Sequence, residues 1–224
     1  VMQLTEADRV RVGAAVTAAE LNTDGEIVTI VARQSDAYHD VALHWAVLAM
    51  LLVLALLASI PGAAEWLHAL VADPWGDAPS SRALFTLALV ALTVTFLLVR
   101  FALAWQPLRM ALTPRATRAR RVRRRALILF RTAAEARTRN ATGVLLYLSL
   151  AEHRAEIVAD ATIHTRVAPE VWGEAMAALI VAVKDGRTGD GMAAAVERIG
   201  VVLAEHFPRS EDDTNELPDR LIEL

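Results

Sequence analysis

Two uncharged, almost wholly apolar stretches constrain this chain more than any other feature. Between Asp40 and Glu65 no residue carries a full charge, and Val41 to Ile60 is apolar apart from His44 and Ser59. Coiled as a helix, such a run crosses the roughly 30 Å of hydrocarbon in a bilayer. A second run, Ala83 to Val99, is equally uncharged and continues past Arg100 through Phe101 to Trp105. A helix at the surface of a soluble core shows a polar stripe, and neither run has one, so both are expected to span a membrane. The high mean hydropathy of +0.37 is concentrated in them. Trp45 and Trp105 stand at run ends, and Trp66 and Trp75 lie in the loop between, where amphipathic rings favour the headgroup layer. Arg100 lies close enough to its helix end to snorkel outward along its own aliphatic stem.

Orientation follows from the distribution of arginine. Arg109, Arg115, Arg118, Arg120, Arg121, Arg123, Arg124, Arg125 and Arg131 lie beyond the second run, whereas the loop carries Glu65, Asp73 and Asp77 against Arg82. Basic residues beside a span stay on the cytoplasmic side. Both termini are therefore expected in the cytoplasm of an inner, cytoplasmic membrane crossed twice, with the short loop outside. The first forty residues hold scattered charges and no continuous apolar core, so no export signal is expected there. Arg115, Arg118, Arg120, Arg121, Arg123, Arg124 and Arg125 are candidates for binding anionic headgroups, each worth about 1 kcal/mol near the surface. An acidic protein partner is the alternative. Nucleic acid is not expected, because no aromatics are interleaved with the arginines and no recognition motif is present. With no cysteine in the chain, a disulfide framework, a thiolate nucleophile and a Cys-based zinc site are excluded.

The polar remainder reads as one domain in two pieces. Thr5 can cap a helix opened by Glu6 and Asp8, with Ala7, Val10, Ala14, Ala18 and Leu21 forming an apolar stripe. Glu26 to Ala32 is a β-branched run suited to a strand. One helix and one strand cannot hide their apolar faces alone, so this piece must dock on the segment C-terminal to the second span. There, an arginine-rich helix from about Thr117 to Arg137 aligns Ala126, Leu127, Phe130, Ala133 and Ala134. Gly143 to Leu150 reads as a central strand and Arg154 to Asp160 as its hairpin neighbour, joined through Glu152 and His153. A helix opening at Pro169 presents Trp172, Met176, Leu179, Ile180 and Val183 and ends at Gly186. The last helix presents Met192, Val196, Ile199, Leu203 and Phe207 and stops at Pro208. The expected fold is α+β, a small helix-covered sheet interrupted by a two-helix transmembrane hairpin. In residue numbers this places the first part of the domain at 1–40, spans at 41–60 and 83–105, and the outer loop at 61–82. A basic juxtamembrane helix falls in 106–139, the rest of the domain in 140–208, and an acidic tail in 209–224. The end of that tail, Leu217 to Leu224, is a docking candidate.

The order of these segments resembles the TPM domain family. The likeness is carried by Thr23-Asp24-Gly25-Glu26-Ile27-Val28 at the start of a strand, Thr142 to Ser149, and Glu156-Ile157-Val158-Ala159-Asp160. A Trp-bearing helix and a closing His206-Phe207-Pro208 complete it. It covers about 1–33 and 110–208 and implies an α/β/α sandwich. For members of that family it implies acid phosphatase activity in some, calcium binding in others and assembly of membrane complexes in others. On this resemblance Glu26, Glu156 and Asp160 are candidate ligands for Ca2+ or another divalent cation, which takes six to eight oxygens. The alternative is that they cap turns or pair with arginines.

The chain holds no P-loop, HExxH, Gly-x-Ser-x-Gly or aspartate phosphotransferase motif, and its histidines are scattered, so no catalytic residue is assigned. Trp172 is expected to be buried. The leading expectation is a noncatalytic membrane-anchored module that binds another membrane or cytoplasmic protein. A weak metal-dependent phosphatase using Glu26 and Asp160 is the second. The third is a subunit of an oligomeric membrane complex, a homo-oligomer included, with Ala49, Ala55, Ala88 and Ala91 at helix contacts.

Overall fold

Strands buried on both faces carry unbroken apolar runs, and two segments of this chain satisfy that pattern side by side. In the computed structural model, which describes residues 4–71, 78–132, 142–210 and 219–224, β1 (Glu26–Ala32) and β2 (Gly143–Ser149) pair in parallel along their whole length. Every residue of both strands is buried. β3 (Arg154–Ala159) returns antiparallel to β2 through a tight connection in which His153 takes a left-handed conformation. A fourth strand, β4 (Ile222–Glu223), adds in parallel to the other edge of β1, so the mixed sheet runs β3-β2-β1-β4. β1 to β3 stand where the sequence places them. β4 lies within the Leu217 to Leu224 segment that the sequence marks as a docking candidate, and it docks by pairing with β1; residues 211–218 lie outside the described residues.

The chain divides into two units, Val1–Asp36 with Arg115–Leu224 and, separately, Ala37–Pro114. In the first, helices cover both faces of the sheet. Ile27, Val31, Val144, Leu146 and Leu148 face one core, built with α1 (Glu6–Glu20), α7 (Ala161–Arg166), α8 (Gly173–Lys184) and α9 (Thr188–His206). Val28, Ile30, Ala32, Leu145, Tyr147 and Val158 face the other, closed by Val122, Ala126 and Phe130 of α6 (Arg115–Phe130). The alternation along each strand is what sends successive side chains to opposite cores. α9 buries Met192, Val196, Ile199 and Leu203, with Phe207 just past its end, all as expected. Gly186, at φ 79°, closes the turn after α8 in a conformation that favours glycine. Trp172 ends a 3-10 turn, Pro169–Trp172, and is buried as expected.

Two helix phases differ from the sequence reading. On α1 the buried residues are Val12, Ala15 and Val16, while Val10 and Leu21 of the expected stripe are 64% and 59% exposed. Ala7, Ala14 and Ala18 do not provide the buried face either. Alanine and valine occur all round this helix, so its period does not single out a face. What selects the face is close approach: Gly200 of α9 admits Ala19, and Gly13 admits the carbonyl of Asp219. On α8 the core takes Ala175, Leu179 and Ala182, and Ile180 is exposed. The arginine-rich helix also starts earlier than expected, at Arg115, and Ala133 and Ala134 lie outside the described residues.

The second unit is built on α2 (His39–Ser59) and α4 (Ser81–Ala102), of 21 and 22 residues, which pack on each other. The most apolar 18-residue stretches of α2 and α4 have mean hydropathies of 2.6 and 2.3, and 17% of that stretch in α2 and none in α4 is buried. Between them lies α3 (Ala63–Ala69), a short helix inside what the sequence suggests is loop, carrying the exposed Trp66. Trp75 lies outside the described residues. After α4 the chain does not enter one long basic helix but a short one, α5 (Gln106–Leu112), which stops before Pro114 because proline has no N–H to continue it. Trp45 donates from Nε1 to the Leu112 carbonyl at 3.3 Å and, with Leu52, Val99 and Leu108, lines an apolar cavity of about 300 Å³. Trp105 is exposed.

Candidate functional site

The amino ends of β1 and β2 gather the residues that the sequence marks as candidates. The turn before β1 is tied to the end of α9, because Thr23 donates from Oγ1 to the Phe207 carbonyl at 2.6 Å and the Asp24 N–H donates to the same carbonyl at 3.1 Å. Asp24 in turn accepts at Oδ1 from the Ser210 N–H at 2.7 Å. Thr142, just ahead of β2, donates from Oγ1 to the Asp24 carbonyl at 2.8 Å. Segments distant in the chain are thereby locked at one end of the sheet.

Glu26 and Asp160 both sit here, on either side of Gly143. Glu26 is the register partner of Gly143, and Asp160 accepts the Gly143 N–H on Oδ2 at 2.9 Å. Two strand spacings, about 10 Å, separate their backbones. Glu156 lies four residues before Asp160, about 13 Å away along β3. It is the register partner of Tyr147 and is held by Arg123 at 3.3 Å. The structure thus brings Glu26 and Asp160 to one end and leaves Glu156 elsewhere. One Asp160 oxygen satisfies the first N–H of β2 and one Glu156 oxygen faces an arginine, so these three do not form the six-to-eight-oxygen cage that calcium takes. Among the described residues no group of three or more His, Cys, Asp or Glu side chains is placed to hold a metal ion.

A third carboxyl at this end was not singled out from the sequence. Glu20, in the last turn of α1, accepts the Ile27 N–H on Oε1 at 2.8 Å. Burial pushes its pKa up to about 8, and the nearby carboxylates of Glu26 and Asp219 add to the rise, against the opposing effect of the Ile27 hydrogen bond. The one sign of it in the sequence is an acid in the last turn of a helix, where the dipole disfavours negative charge. Asp219 itself accepts from Thr17 Oγ1 at 2.7 Å, and Glu223 accepts from Arg9 Nε at 2.6 Å, so side chains of α1 hold the C-terminal segment, residues 219–224. The arrangement keeps a protonated carboxyl at neutral pH beside other carboxyls.

The carboxyl ends of the same strands carry a second polar network. Ser35 and Tyr147 share a hydrogen bond of 2.9 Å between hydroxyls, and the Ser35 N–H donates to Glu152 Oε1 at 2.9 Å. Ser149 donates from Oγ to the other Glu152 oxygen. Burial raises the Tyr147 phenol above its ordinary value, with the Ser35 and Ser149 hydroxyls acting the other way. Arg121 of α6 reaches Asp36 at 3.1 Å. Ser35 and Asp36 are the last residues of this unit before the apolar insert, so the point of departure is pinned to the β2–β3 hairpin and to the helix on which the chain returns. His153 and His164 are exposed and His206 is half-buried.

These features define an α+β protein with a small mixed four-stranded sheet, into which two long apolar helices are inserted. In fold the chain is similar to the BA42 protein of the psychrophilic bacterium Bizionia argentinensis, known from an NMR structure, with a TM-score of 0.57 and 18% identity over 99% of this chain and 95% of that one. No family model and no curated protein matches the chain.

Proposed function

We propose that this chain is a membrane-anchored, noncatalytic module of TPM-like build, in which the hairpin fixes the location and the α+β unit binds another protein at the cytoplasmic surface. The observation that carries the reading is α4, a 22-residue apolar helix with none of its most apolar window buried. Such a surface is costly in water and suited to lipid. The TPM-like assignment is supported by helices on both faces of the sheet, and by Thr23 to Glu26, Thr142-Gly143 and Asp160 meeting at one end of it. The excess of arginine after α4 supports the cytoplasmic orientation. The experiment is purification of the full chain from carbonate-washed native membranes, with identification of what accompanies it. A stoichiometric protein partner that survives washing is expected. Phosphomonoester hydrolysis lost on chelation and in Asp160→Asn, with the fold intact, would replace this reading by the hydrolase.

A further inference from the structure

α6 is anchored to the sheet by Val122, Ala126 and Phe130, spaced four residues apart. At 100° per residue, Arg120, Arg124 and Ile128 then fall on the opposite side of the helix. The arginines of this helix divide by partner. Arg121 is engaged by Asp36 and Arg123 by Glu156. Arg120 and Arg124 are exposed and make no ion pair with any described residue. Ile128, one turn on, is 46% exposed.

We propose that the outward face of α6, Arg120 and Arg124 beside Ile128, rests on the anionic phospholipid headgroups of the bilayer that holds the hairpin. This rests on the membrane reading above and assigns a second, reversible contact with the same lipid. Two cations in one row, continued by an apolar side chain on the next turn, is the composition of a helix lying in the interfacial layer. Anionic lipid is the occupant because charge complementarity requires an acid. A headgroup surface is also delivered at high effective concentration by the short connection from α4 to α6, residues 103–114, whereas a separate acidic protein has to be recruited. Each arginine near such a surface contributes about a fivefold preference for the docked state, so the pair contributes about thirtyfold. Arg121 and Arg123, paired with Asp36 and Glu156, contribute to the cohesion of the fold instead.

The test uses the full chain in nanodiscs of phosphatidylcholine alone or with phosphatidylglycerol. A fluorophore is placed at Ile128→Cys, with a reference at the exposed Val181→Cys of α8, and quenching by headgroup spin-labelled lipid is measured. Expected are quenching at position 128 that rises with phosphatidylglycerol, recedes with salt and is lost in Arg120→Gln/Arg124→Gln, with position 181 unchanged. Equal quenching in both lipids overturns the proposal while the anchoring reading stands. Shielding from aqueous iodide that ignores lipid charge but vanishes in the double variant assigns the face to an acidic protein segment and also overturns it. A chain that does not enter discs at all refutes the anchoring reading, and this inference with it.

Discussion

Gly200→Ala tests the joint between the two pieces of the domain, since α1 belongs to the piece before the hairpin and α9 to the piece after it. A Cβ at position 200 would lie 2.6 Å from Ala19 Cβ and 3.2 Å from Ala19 Cα. Carbon atoms in contact prefer about 3.5–4.0 Å, so the helices must separate by roughly 1 Å. Overpacking of this kind costs about 1–3 kcal/mol, and the better helix propensity of alanine returns about 1 kcal/mol. The net expectation is a destabilisation of about 0–2 kcal/mol, against a gain of about 1 kcal/mol if position 200 faced open space. Ala19→Gly alone should cost about 1 kcal/mol in propensity. Combined with Gly200→Ala it restores room, so the double variant should be more stable than the sum of the singles by about 1–2 kcal/mol. The assay is urea unfolding of the full chain in mild detergent, followed through Trp172 with the other tryptophans replaced by phenylalanine. Stabilisation by Gly200→Ala with no coupling to Ala19→Gly would refute the docking of α1 on α9.

Glu20 binds its proton more tightly folded than unfolded, with its pKa at about 8 against an ordinary value of 4.5. Its contribution to stability is therefore fully present below about pH 4.5, declines as pH rises, and is lost above about pH 8, by up to about 1.4 kcal/mol per pH unit. Urea midpoints from acid to mildly alkaline pH should fall over that window in the wild type and flatten in Glu20→Gln; an unchanged slope in the variant would contradict the assignment. Phe130→Ala empties the end of the α6 core and should cost about 3–5 kcal/mol in the same assay. Thr5→Ala removes a capping box in which the Asp8 N–H donates to Thr5 Oγ1 at 3.2 Å. It should cost about 1 kcal/mol, read as earlier loss of helix in thermal circular dichroism.

β1, β2 and β3 are legible because each is a short β-branched or apolar run between turn residues, and the fully buried β1 and β2 need nothing more. α9 was legible for a related reason: its large side chains recur on one face and its small ones fill the rest. α1 was not, because Ala7, Ala14 and Ala18 compete with Ala15 and Ala19, and Val10 with Val12 and Val16, for the same reading. The choice between faces is made by Gly200 and Gly13, whose effect is invisible until their partners are in place. β4 escaped detection because a two-residue pairing has no period. At the candidate site, Glu26 and Asp160 were legible as strand ends, whereas Glu20 and Asp219 are neighbours only once the last residues of the chain return to the first helix. The Ser35, Tyr147, Ser149 and Glu152 network was hidden for the same reason, since it joins residues on opposite sides of the insert.

The most direct measurement is vectorial labelling in this naturally cysteine-free chain. Single cysteines at Ser80, the N-cap of α4, and at the exposed Ser210 sample the hairpin tip and the α+β unit. In intact cells an impermeant thiol reagent should modify Ser80→Cys and reach Ser210→Cys only after the membrane is opened. Equal labelling of both without permeabilisation, or release of the chain by alkaline carbonate, would contradict a hairpin that crosses the bilayer and returns to complete one sheet.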